Sequence, residues 1–491
     1  MVKAVLGEET QLKLAEDRLF ESGVPAQVGL VIGKLNCGLD RGFVFDLVPT
    51  PTNDAGEQAC RLSEAGRDDK KGSKKKSQAE SSPLVIDVDW VAEHARQVSK
   101  MLLGGMNVVG LYAWASENSF KASNLVLYQT VKAVADAAPF YDSDLDERLL
   151  VHISYSPRRW NCRNCILGSN ISSSSLRPCD FKMGRVLASL LAFRCTYNFG
   201  IRLPIFREDV SSTSTLRDVL YNGLLTHAQE LKGAKAVIDG TLVAEDEMST
   251  SDGIHEIELL LPFMKSAPAE GCRQKEVVGV LVLTGSICSF AYLSPKEPVS
   301  QAVDDIKGDI IMSMRNRLDI ICDEAEGDVK DSTVDGHQEE SNEKSTEKSI
   351  LQLVLHLSRK PCSLLFSRRV FIPWLAGAFI CDYLQPSETV EVLKDHCKEL
   401  MSREDLIEAS TILELETEAI SLTTKSFWDV VAPSPLAYGS DCQLKGKDEI
   451  HSAGKESGRK STASLDFNIV TAIAFALVSI LVGLVFFILK T

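Results

Sequence analysis

Helix-like and strand-like hydrophobic patterns alternate along the first 160 residues. Apolar side chains recur at helical spacing in three stretches, and four other stretches are short apolar runs rich in β-branched residues. The predicted helices cover 1–22, 89–103 and 120–137, and the predicted strands cover 28–33, 42–48, 107–114 and 149–154. Helices interleaved with strands predict an α/β (α+β) sandwich of mixed sheet and helices.

The middle of the chain has the alternation typical of β-strands and predicts a further β-rich module. Strands are expected at 186–206, 256–263 and 277–293. A long amphipathic helix is predicted from Val299 to Cys322, because apolar residues recur there on one helical face. Beyond it, the sequence predicts a strand hairpin at 369–384 and a charged helix from Ser387 to Ser421.

Segments dominated by Ser, Lys, Asp and Glu separate these elements. They predict a disordered loop at 53–82, an acidic flexible loop at 323–349 and a tether at 432–466. The resulting domain prediction is an α/β domain at 1–160, a β-rich module at 161–322, a hairpin-and-helix segment at 350–421 and an anchor at 467–489.

The most apolar stretch of the chain is at its end. Residues Phe467–Leu489 form 23 consecutive positions without a charge, bounded by Asp466 and Lys490. As a helix this stretch is about 34 Å long, enough to cross a hydrocarbon core of about 30 Å. The N-terminus lacks the apolar run of a signal peptide, and basic residues precede the stretch, which places the bulk of the chain in the cytosol. The sequence therefore predicts a single-pass, tail-anchored protein in contact with the lipid bilayer.

The net charge and the cysteine content limit the possible partners and the cellular compartment of the chain. A net charge of −15 disfavours nucleic acid as a partner, because phosphate binding needs a basic surface. The 13 cysteines are scattered and odd in number, and several fall in apolar strand-like runs, as Cys195 and Cys288 do. We interpret these as reduced core thiols of a cytosolic domain.

Established catalytic motifs are absent from the sequence, which has no G-x-S-x-G elbow, Walker loop or G-x-G-x-x-G. Cys162 and Cys165 have metal-like spacing, but with Cys179 added a zinc site still lacks a fourth ligand within reach. These three are interpreted as surface-loop thiols rather than as a zinc or redox site. The histidines are isolated, and His94 is expected to be a hydrogen-bonded structural residue. No cofactor and no metal are predicted.

Two of the strand-like runs resemble the signature strands of the MPN (JAMM) metalloprotease fold. PAQVGLVIG at 25–33 matches the strand that carries the family's glutamate, and VVGLYAWAS at 108–116 matches the strand that carries its two histidines. The glutamate, histidine, histidine and aspartate positions of that family are here Ala26, Ala113, Ala115 and Val126. Only the serine position keeps its residue, Ser123. Since alanine and valine supply no metal ligand, the resemblance implies a non-catalytic MPN-like domain.

A second resemblance covers nearly the whole chain. The stretches WVAEHARQVSKMLLGGMNVVG at 90–110, SSLRPCDFK at 174–182 and RRVFIPWLAGAFICDYL at 368–384, followed by a C-terminal span, are similar to the Odr-four family. That family is understood as tail-anchored endoplasmic-reticulum proteins that bind the cysteine protease specific for ubiquitin-fold modifier and help to deliver receptors. The resemblance implies the same localisation, partner and role here.

One function hypothesis and two alternatives follow. The leading hypothesis is a non-enzymatic, tail-anchored adaptor that recruits and supports this protease at the endoplasmic reticulum membrane and assists trafficking of membrane receptors. The first alternative is a trafficking escort that binds receptor cargo directly, without a protease partner. The less favoured alternative is a JAMM-type isopeptidase with relocated ligands.

The partner surface is predicted on the helix at 90–103 and on the hairpin at 369–384. Its candidate contact residues are Trp90, Val98, Phe371 and Trp374. The alternative is that the same four side chains belong to the hydrophobic core.

Overall fold

The computed structural model describes the chain in eleven segments. They cover residues 2–35, 41–63, 82–141, 147–168, 176–206, 216–243, 253–262, 277–331, 364–403, 411–416 and 419–425. All of these residues lie in one unit, Met1–Pro433. They form a mixed α+β structure, which confirms the predicted class at this level.

Seven strands from the first 184 residues close into a barrel. The strands of this part of the chain are β1 (Ala4–Glu8), β2 (Gln27–Lys34), β3 (Arg41–Pro49), β4 (Cys60–Leu62), β5 (Leu84–Ile86), β6 (Asn107–Trp114), β7 (Glu147–Tyr155), β8 (Arg158–Ile166) and β9 (Leu176–Gly184). The barrel order is β1-β3-β2-β6-β7-β8-β9, and β9 pairs with β1 to close it. The β1–β3, β1–β9 and β6–β7 pairs are parallel, whereas β4 and β5 form a separate antiparallel pair.

The two faces of the barrel wall bury different residues, because side chains alternate along each strand. The helices around the wall are α1 (Glu9–Glu21), α2 (Val88–Met101), α3 (Glu117–Ala122) and α4 (Asn124–Ala137). Leu30 and Ile32 of β2 share a core cluster with α2 and α4, while Val31 belongs to a second cluster that contains residues of α1. Burial on both faces explains why β2, β3, β6 and β7 are largely apolar along their whole length.

A second, seven-stranded sheet follows the barrel. The remaining strands are β10 (Leu191–Phe206), β11 (Lys235–Ile238), β12 (Thr241–Leu242), β13 (Ile254–Leu260), β14 (Val277–Leu293), β15 (Leu364–Leu365), β16 (Arg368–Pro373), β17 (Phe379–Leu384) and β18 (Ser421–Lys425). The sheet order is β12-β11-β13-β10-β14-β18-β15. The helices α5 (Leu216–Lys232) and α6 (Val299–Asp331) cover it, with Leu224 and Ile310 packed in the same cluster as Phe193 of β10.

The predicted hairpin is confirmed as the antiparallel pair β16–β17. Its residues Val370 and Ile380 lie in the same core cluster as Val91 and Val98 of α2. The last described helix, α7 (Val390–Met401), adds Leu393 to that cluster. Residues late in the chain therefore complete the core that covers the outside of the barrel.

The helix predicted at 1–22 is wrong for its first residues. Ala4–Glu8 forms β1, and α1 begins only at Glu9. Because β1 lies between β3 and β9, its conformation is decided by pairing with residues distant in the sequence. Hydrophobic spacing over five residues does not carry that information.

The charged helix predicted from Ser387 to Ser421 is too long. It ends at Met401, and Ser402 follows in the left-handed region with a φ of 51°. Further along, Leu413 exchanges two backbone hydrogen bonds with Phe371, and Ser421 begins β18. Pairing with distant strands again overrides the local pattern.

Two predicted loops differ at their boundaries. Within the loop expected at 53–82, Cys60–Leu62 pairs with β5, and 64–81 lies outside the described residues. The helix α6 continues to Asp331 rather than ending at Cys322, so it includes the first residues of the acidic segment. The hydrophobic periodicity ends before the helix does, which explains why the predicted end of α6 lies several residues too early in the chain.

None of the helices in the described segments is long and apolar enough to cross a bilayer. The predicted anchor Phe467–Leu489 and the tether at 432–466 lie outside these segments. The anchor therefore stays a prediction from the sequence.

Candidate functional site

Three of the four metal-ligand positions of the resembled metalloprotease fold lie at neighbouring ends of β2 and β6. Val28 of β2 pairs with Ala113 of β6, so the two strand ends lie side by side. Ala26, Ala113 and Ala115 are each at most 1% exposed. Val126, on α4, packs half-buried against the same core cluster. These positions present methyl and isopropyl groups, which cannot bind a metal ion.

The imidazole of His152 lies next to these alanines. His152 pairs with Ala113 across β6 and β7, and its ring stacks on Phe120 with 4.0 Å between the ring centroids. Its Nε2 lies 3.1 Å from the carbonyl oxygen of Ala115, so this nitrogen carries the proton and donates it. Burial lowers the pKa of His152, which keeps the ring neutral near pH 7. The ring is committed to a structural hydrogen bond.

Ser123, the residue retained from the metalloprotease pattern, has a structural role in this chain. It lies at the junction of α3 and α4 and is 3% exposed. Its hydroxyl donates to the carbonyl of Ser119 at 2.7 Å and accepts from the backbone N–H of Leu84 at 2.7 Å. The hydroxyl therefore attaches β5 to the helix junction.

Cys162, Cys165 and Cys179 are buried strand residues, so their interpretation as surface-loop thiols is wrong. Cys162 and Cys179 face each other across β8 and β9 and share one core cluster, whereas Cys165 belongs to another. Residues three positions apart on a strand point to opposite faces, which separates Cys165 from Cys162. Among the described residues, no three His, Cys, Asp or Glu side chains are grouped so that they could hold a metal ion.

The four residues predicted to contact a partner are not equally accessible. Val98 and Phe371 are fully buried and Trp374 is 6% exposed, all within the core cluster around α2. Trp90 is half-buried, and its indole N–H donates to the carbonyl of Pro51 at 3.0 Å. The core alternative accounts for the burial of the first three, and Trp90 keeps accessible surface.

The expectation that His94 is a hydrogen-bonded structural residue is confirmed. Its Nδ1 lies 3.3 Å from the hydroxyl of Thr50, and its Nε2 lies 2.9 Å from the carbonyl oxygen of Leu400. Burial lowers the pKa of His94 to about 4. The neutral ring thus ties α2 to the end of β3 and to α7.

A buried ionic cluster that no sequence pattern predicts lies between β14, α6 and β16. Arg369 donates from Nη1 and Nη2 to both carboxylate oxygens of Asp309, at 2.6 and 2.8 Å, and Ser289 donates to the same carboxylate at 2.6 Å. Glu416 accepts hydrogen bonds from the backbone N–H of Arg369 and from the guanidinium of Arg317. The partners are 20 or more positions apart, and no local pattern connects them.

A second buried ion pair joins the barrel to α6. The Lys34 ammonium, at the end of β2, lies 2.7 Å from Oδ2 of Asp305 and 3.3 Å from Oε1 of Glu297. Lys34 and Glu297 are 3% and 1% exposed. The pair fixes the position of α6 relative to β2, because a buried charge is tolerated only next to its partner.

A polar cleft of about 690 Å³ lies where the C-terminal ends of α2 and α4 approach α5 and α6. Arg96 and Lys100 of α2 line it, together with Lys307 and Arg315 of α6 and several aspartates. Lys307 donates to the carbonyl oxygens of Lys232 and Ala234, and burial lowers its pKa. Cations and carboxylates both line this cleft, so it favours no single charge on a ligand.

Among solved structures, the chain is similar to one titled a crystal structure of UfSP from C. elegans. The similarity has 8% sequence identity and a TM-score of 0.36, and it covers 85% of this chain and 60% of that chain. A TM-score at this level does not establish a shared fold.

Comparisons of sequence are more informative. The mouse protein odr-4 homolog is 24% identical over 80% of this chain and 81% of its own length. The human protein odr-4 homolog is 25% identical over 79% of this chain and 80% of its own, and that of Dictyostelium discoideum is 24% identical over 74% and 73%. A family model described as "Odorant response abnormal 4-like" matches residues 29–412. The matched region includes the barrel from β2 onward, most of the second sheet and the β16–β17 hairpin, and the chain therefore belongs to the ODR4-like family.

Proposed function

We propose that this chain is a non-enzymatic adaptor, tail-anchored in the endoplasmic reticulum membrane. It recruits and supports a cysteine protease specific for ubiquitin-fold modifier, and it assists the trafficking of membrane receptors. Membership of a family named for odorant response supports a role in receptor trafficking. In this proposal the barrel is an MPN-like fold without a metal site.

The observation that carries the proposal is the apolar character of the positions where an MPN metalloprotease binds zinc. Ala26, Ala113 and Ala115 are buried and have no donor atom. The neighbouring imidazole of His152 is committed to the carbonyl of Ala115. Hydrolysis by zinc needs imidazole and carboxylate ligands and a base for the water, and aliphatic side chains provide neither. The domain therefore acts through its surfaces.

The C-terminal anchor gives the adaptor its location. A bilayer span at 467–489 holds the folded part near the membrane, and the preceding tether has an r.m.s. reach of about 30 Å as a random coil. A bound protease is thereby concentrated near membrane substrates without any new contact to them.

We place the protease contact on the accessible side of α2. Trp90 is half-buried, Arg96 is exposed, and Arg96 and Lys100 line the polar cleft. Trp and Arg are the residue types that contribute most to binding at protein interfaces. Val98, on the same helix, is fully buried and serves as an internal comparison.

A second candidate function is a trafficking escort that binds receptor cargo directly. The family description favours it, because it refers to odorant response and not to proteolysis. The two functions differ in cells that lack the protease, since an escort continues to export its cargo there.

Co-purification of the full-length chain with the protease, from detergent-solubilised membranes, tests the adaptor function. We expect near-stoichiometric association, weakened by the double substitution Arg96→Ala and Lys100→Ala, which should change the free energy of unfolding by about 1 kcal/mol or less because it removes only partly exposed charges. Val98→Ala is the matched control, because it lowers the midpoint by creating a core cavity and leaves the surface intact. Absence of the protease together with retention of receptor cargo contradicts the adaptor and favours the escort.

A further inference from the structure

Two buried cysteines face each other where the barrel closes. Cys162 of β8 and Cys179 of β9 are direct partners in the antiparallel ladder. Directly opposed residues in such a ladder have Cα atoms about 4.5–5.5 Å apart, which lies within the range that a disulfide spans. Cys162 and Cys179 are 5% and 8% exposed, whereas Cys165 is fully buried. A small molecule therefore reaches the facing pair more easily than it reaches Cys165.

The two thiols interact and are chemically unequal. The Cys179 sulfur lies 4.0 Å from the carbonyl oxygen of Val2 and 3.9 Å from that of Asp180. Its interaction with the facing Cys162 thiol lowers the pKa of Cys179 and raises the pKa of Cys162. The thiolate is the form of cysteine that reacts with oxidants. Cys179 therefore has the properties of the attacking thiol, and Cys162 those of the resolving thiol.

Cys165 provides a contrast on the same strand. It is fully buried, it pairs with Leu176 rather than with a cysteine, and it lies in the other core cluster. Burial raises the pKa of Cys165 to about 12. A buried apolar environment keeps this thiol protonated and unreactive.

We propose that Cys162 and Cys179 form a redox-active pair, which a hydroperoxide converts into a cross-strand disulfide. The Cys179 thiolate attacks one peroxide oxygen, the O–O bond breaks, and protonation of the leaving oxygen releases water or an alcohol, leaving a sulfenic acid. The Cys162 sulfur then attacks the Cys179 sulfur, the S–O bond breaks, and the Cys162 proton leaves with hydroxide as water. Two thiols are thus oxidised by two electrons, and the peroxide is reduced; a dithiol or glutathione reverses the step.

The location gives the disulfide a structural consequence. β9 closes the barrel by pairing in parallel with β1, and Asp180, next to Cys179, pairs with Ala4. The Asn164 side chain, on β8, donates to the carbonyl of Val2 at 3.1 Å. A bond between β8 and β9 therefore stabilises the seam that holds the first residues of the chain. This chemistry is independent of the adaptor function.

Peptide mapping of the oxidised full-length protein tests the pair. After treatment with hydrogen peroxide, non-reducing tryptic digestion should link the peptide that contains Cys162 to the one that contains Cys179, with loss of two hydrogen atoms. Trypsin cleaves at Arg163, but Cys165 and Cys179 stay in one peptide because Pro178 follows Arg177. In the Cys165→Ala variant this peptide contains only Cys179, so a link to Cys162 can be assigned without ambiguity. The variant should form the link as the native chain does.

The single variants Cys162→Ser and Cys179→Ser should lose the link and the oxidation-dependent rise in thermal midpoint, which we expect to be a few degrees. Cys162→Ser should also accumulate sulfenic acid at Cys179, detected by a dimedone adduct. A link that disappears in Cys165→Ala, or a folded native chain in which peroxide leaves both thiols free, overturns the proposal.

Discussion

Several of the most deeply buried side chains in the described interior are charged, and each lies beside an opposite charge. Arg369 is paired with Asp309, Arg317 with Glu416, and Lys34 with Asp305. Each pair connects elements that are distant in the chain. Removal of one partner leaves the other charge buried and unpaired, which costs far more than the pair itself contributes.

Substitution Arg369→Ala should lower the free energy of unfolding by about 3–5 kcal/mol, because Asp309 then remains buried without its partner. Arg368→Ala is the matched control: Arg368 is the adjacent residue on β16, more exposed, and 3.5 Å from Glu414. A partly exposed pair of this kind contributes about 1 kcal/mol or less. Urea titration measures both, and equal losses for the two variants would contradict the assigned role of the buried pair.

His94 makes stability depend on pH. Its pKa is about 4 when folded, against 6.5 for a free side chain, so the unfolded chain binds the proton more tightly. Stability from this group is therefore complete above about pH 6.5 and falls as the pH drops toward 4, by about 3 kcal/mol in total. Urea titrations at pH values between 6.5 and 4 should show that the free energy of unfolding of the His94→Gln variant falls less steeply than that of the native chain.

His396 gives a comparison of opposite sign. The hydrogen bond from its Nδ1 to Asp382, at 2.8 Å, raises the pKa of His396 above 6.5. Its contribution is therefore present below that pH and is lost as the pH rises through the folded pKa. His396→Gln should remove stability at low pH only, and a His94-like response would contradict this assignment.

At the level of elements, close backbone approach explains the glycine in the run NVVGLYAW. Gly110 lies on β6 against Leu149 of the parallel strand β7, and a Cβ atom at this position would clash with the Leu149 carbonyl. Gly200, on β10, also lies within a strand, but a Cβ there would meet only Thr284 at an ordinary 3.8 Å.

Gly110→Ala should therefore destabilise the protein by about 3 kcal/mol or prevent its accumulation as soluble protein. Gly200→Ala should change the free energy of unfolding by less than about 1 kcal/mol. Thermal or urea unfolding of the two variants provides the comparison. A tolerated alanine at position 110 would show that β6 and β7 are not in this register.

Elements with long, clear periodicity could be predicted from the sequence. The helix α2 and the hairpin β16–β17 were expected within a few residues of their bounds, because their apolar positions are set by one core. β1 and the segment around Leu413 could not be predicted, because their conformations depend on strands far along the chain. The ionic pair of Arg369 and Asp309 was missed for the same reason.

At the candidate site, the resemblance to the MPN motif located the alanines at the ligand positions. It did not predict which side chains pack around them. Ala26, Ala113 and Ala115 could be identified from the sequence, because the motif of the resembled MPN fold specifies which positions hold its metal ligands. The stacking of His152 on Phe120 and the facing pair of Cys162 and Cys179 depend on strand register, which single strands do not specify.

For the whole molecule, the proposed function depends on two parts. The folded unit supplies the binding surfaces, and the predicted membrane span determines where in the cell those surfaces act. Deletion of residues 467–491 should then separate location from binding. A chain in which an unrelated apolar span of equal length replaces 467–489 is the matched control, and it should restore membrane association.

The most direct measurement is cell fractionation combined with co-purification of the protease, for the full-length chain and for the chain that lacks 467–491. We expect the protease to shift from the membrane to the cytosolic fraction together with the truncated chain, at an unchanged ratio of the two proteins. A protease that stays on the membrane, or that no longer binds the truncated chain, would contradict the proposed adaptor.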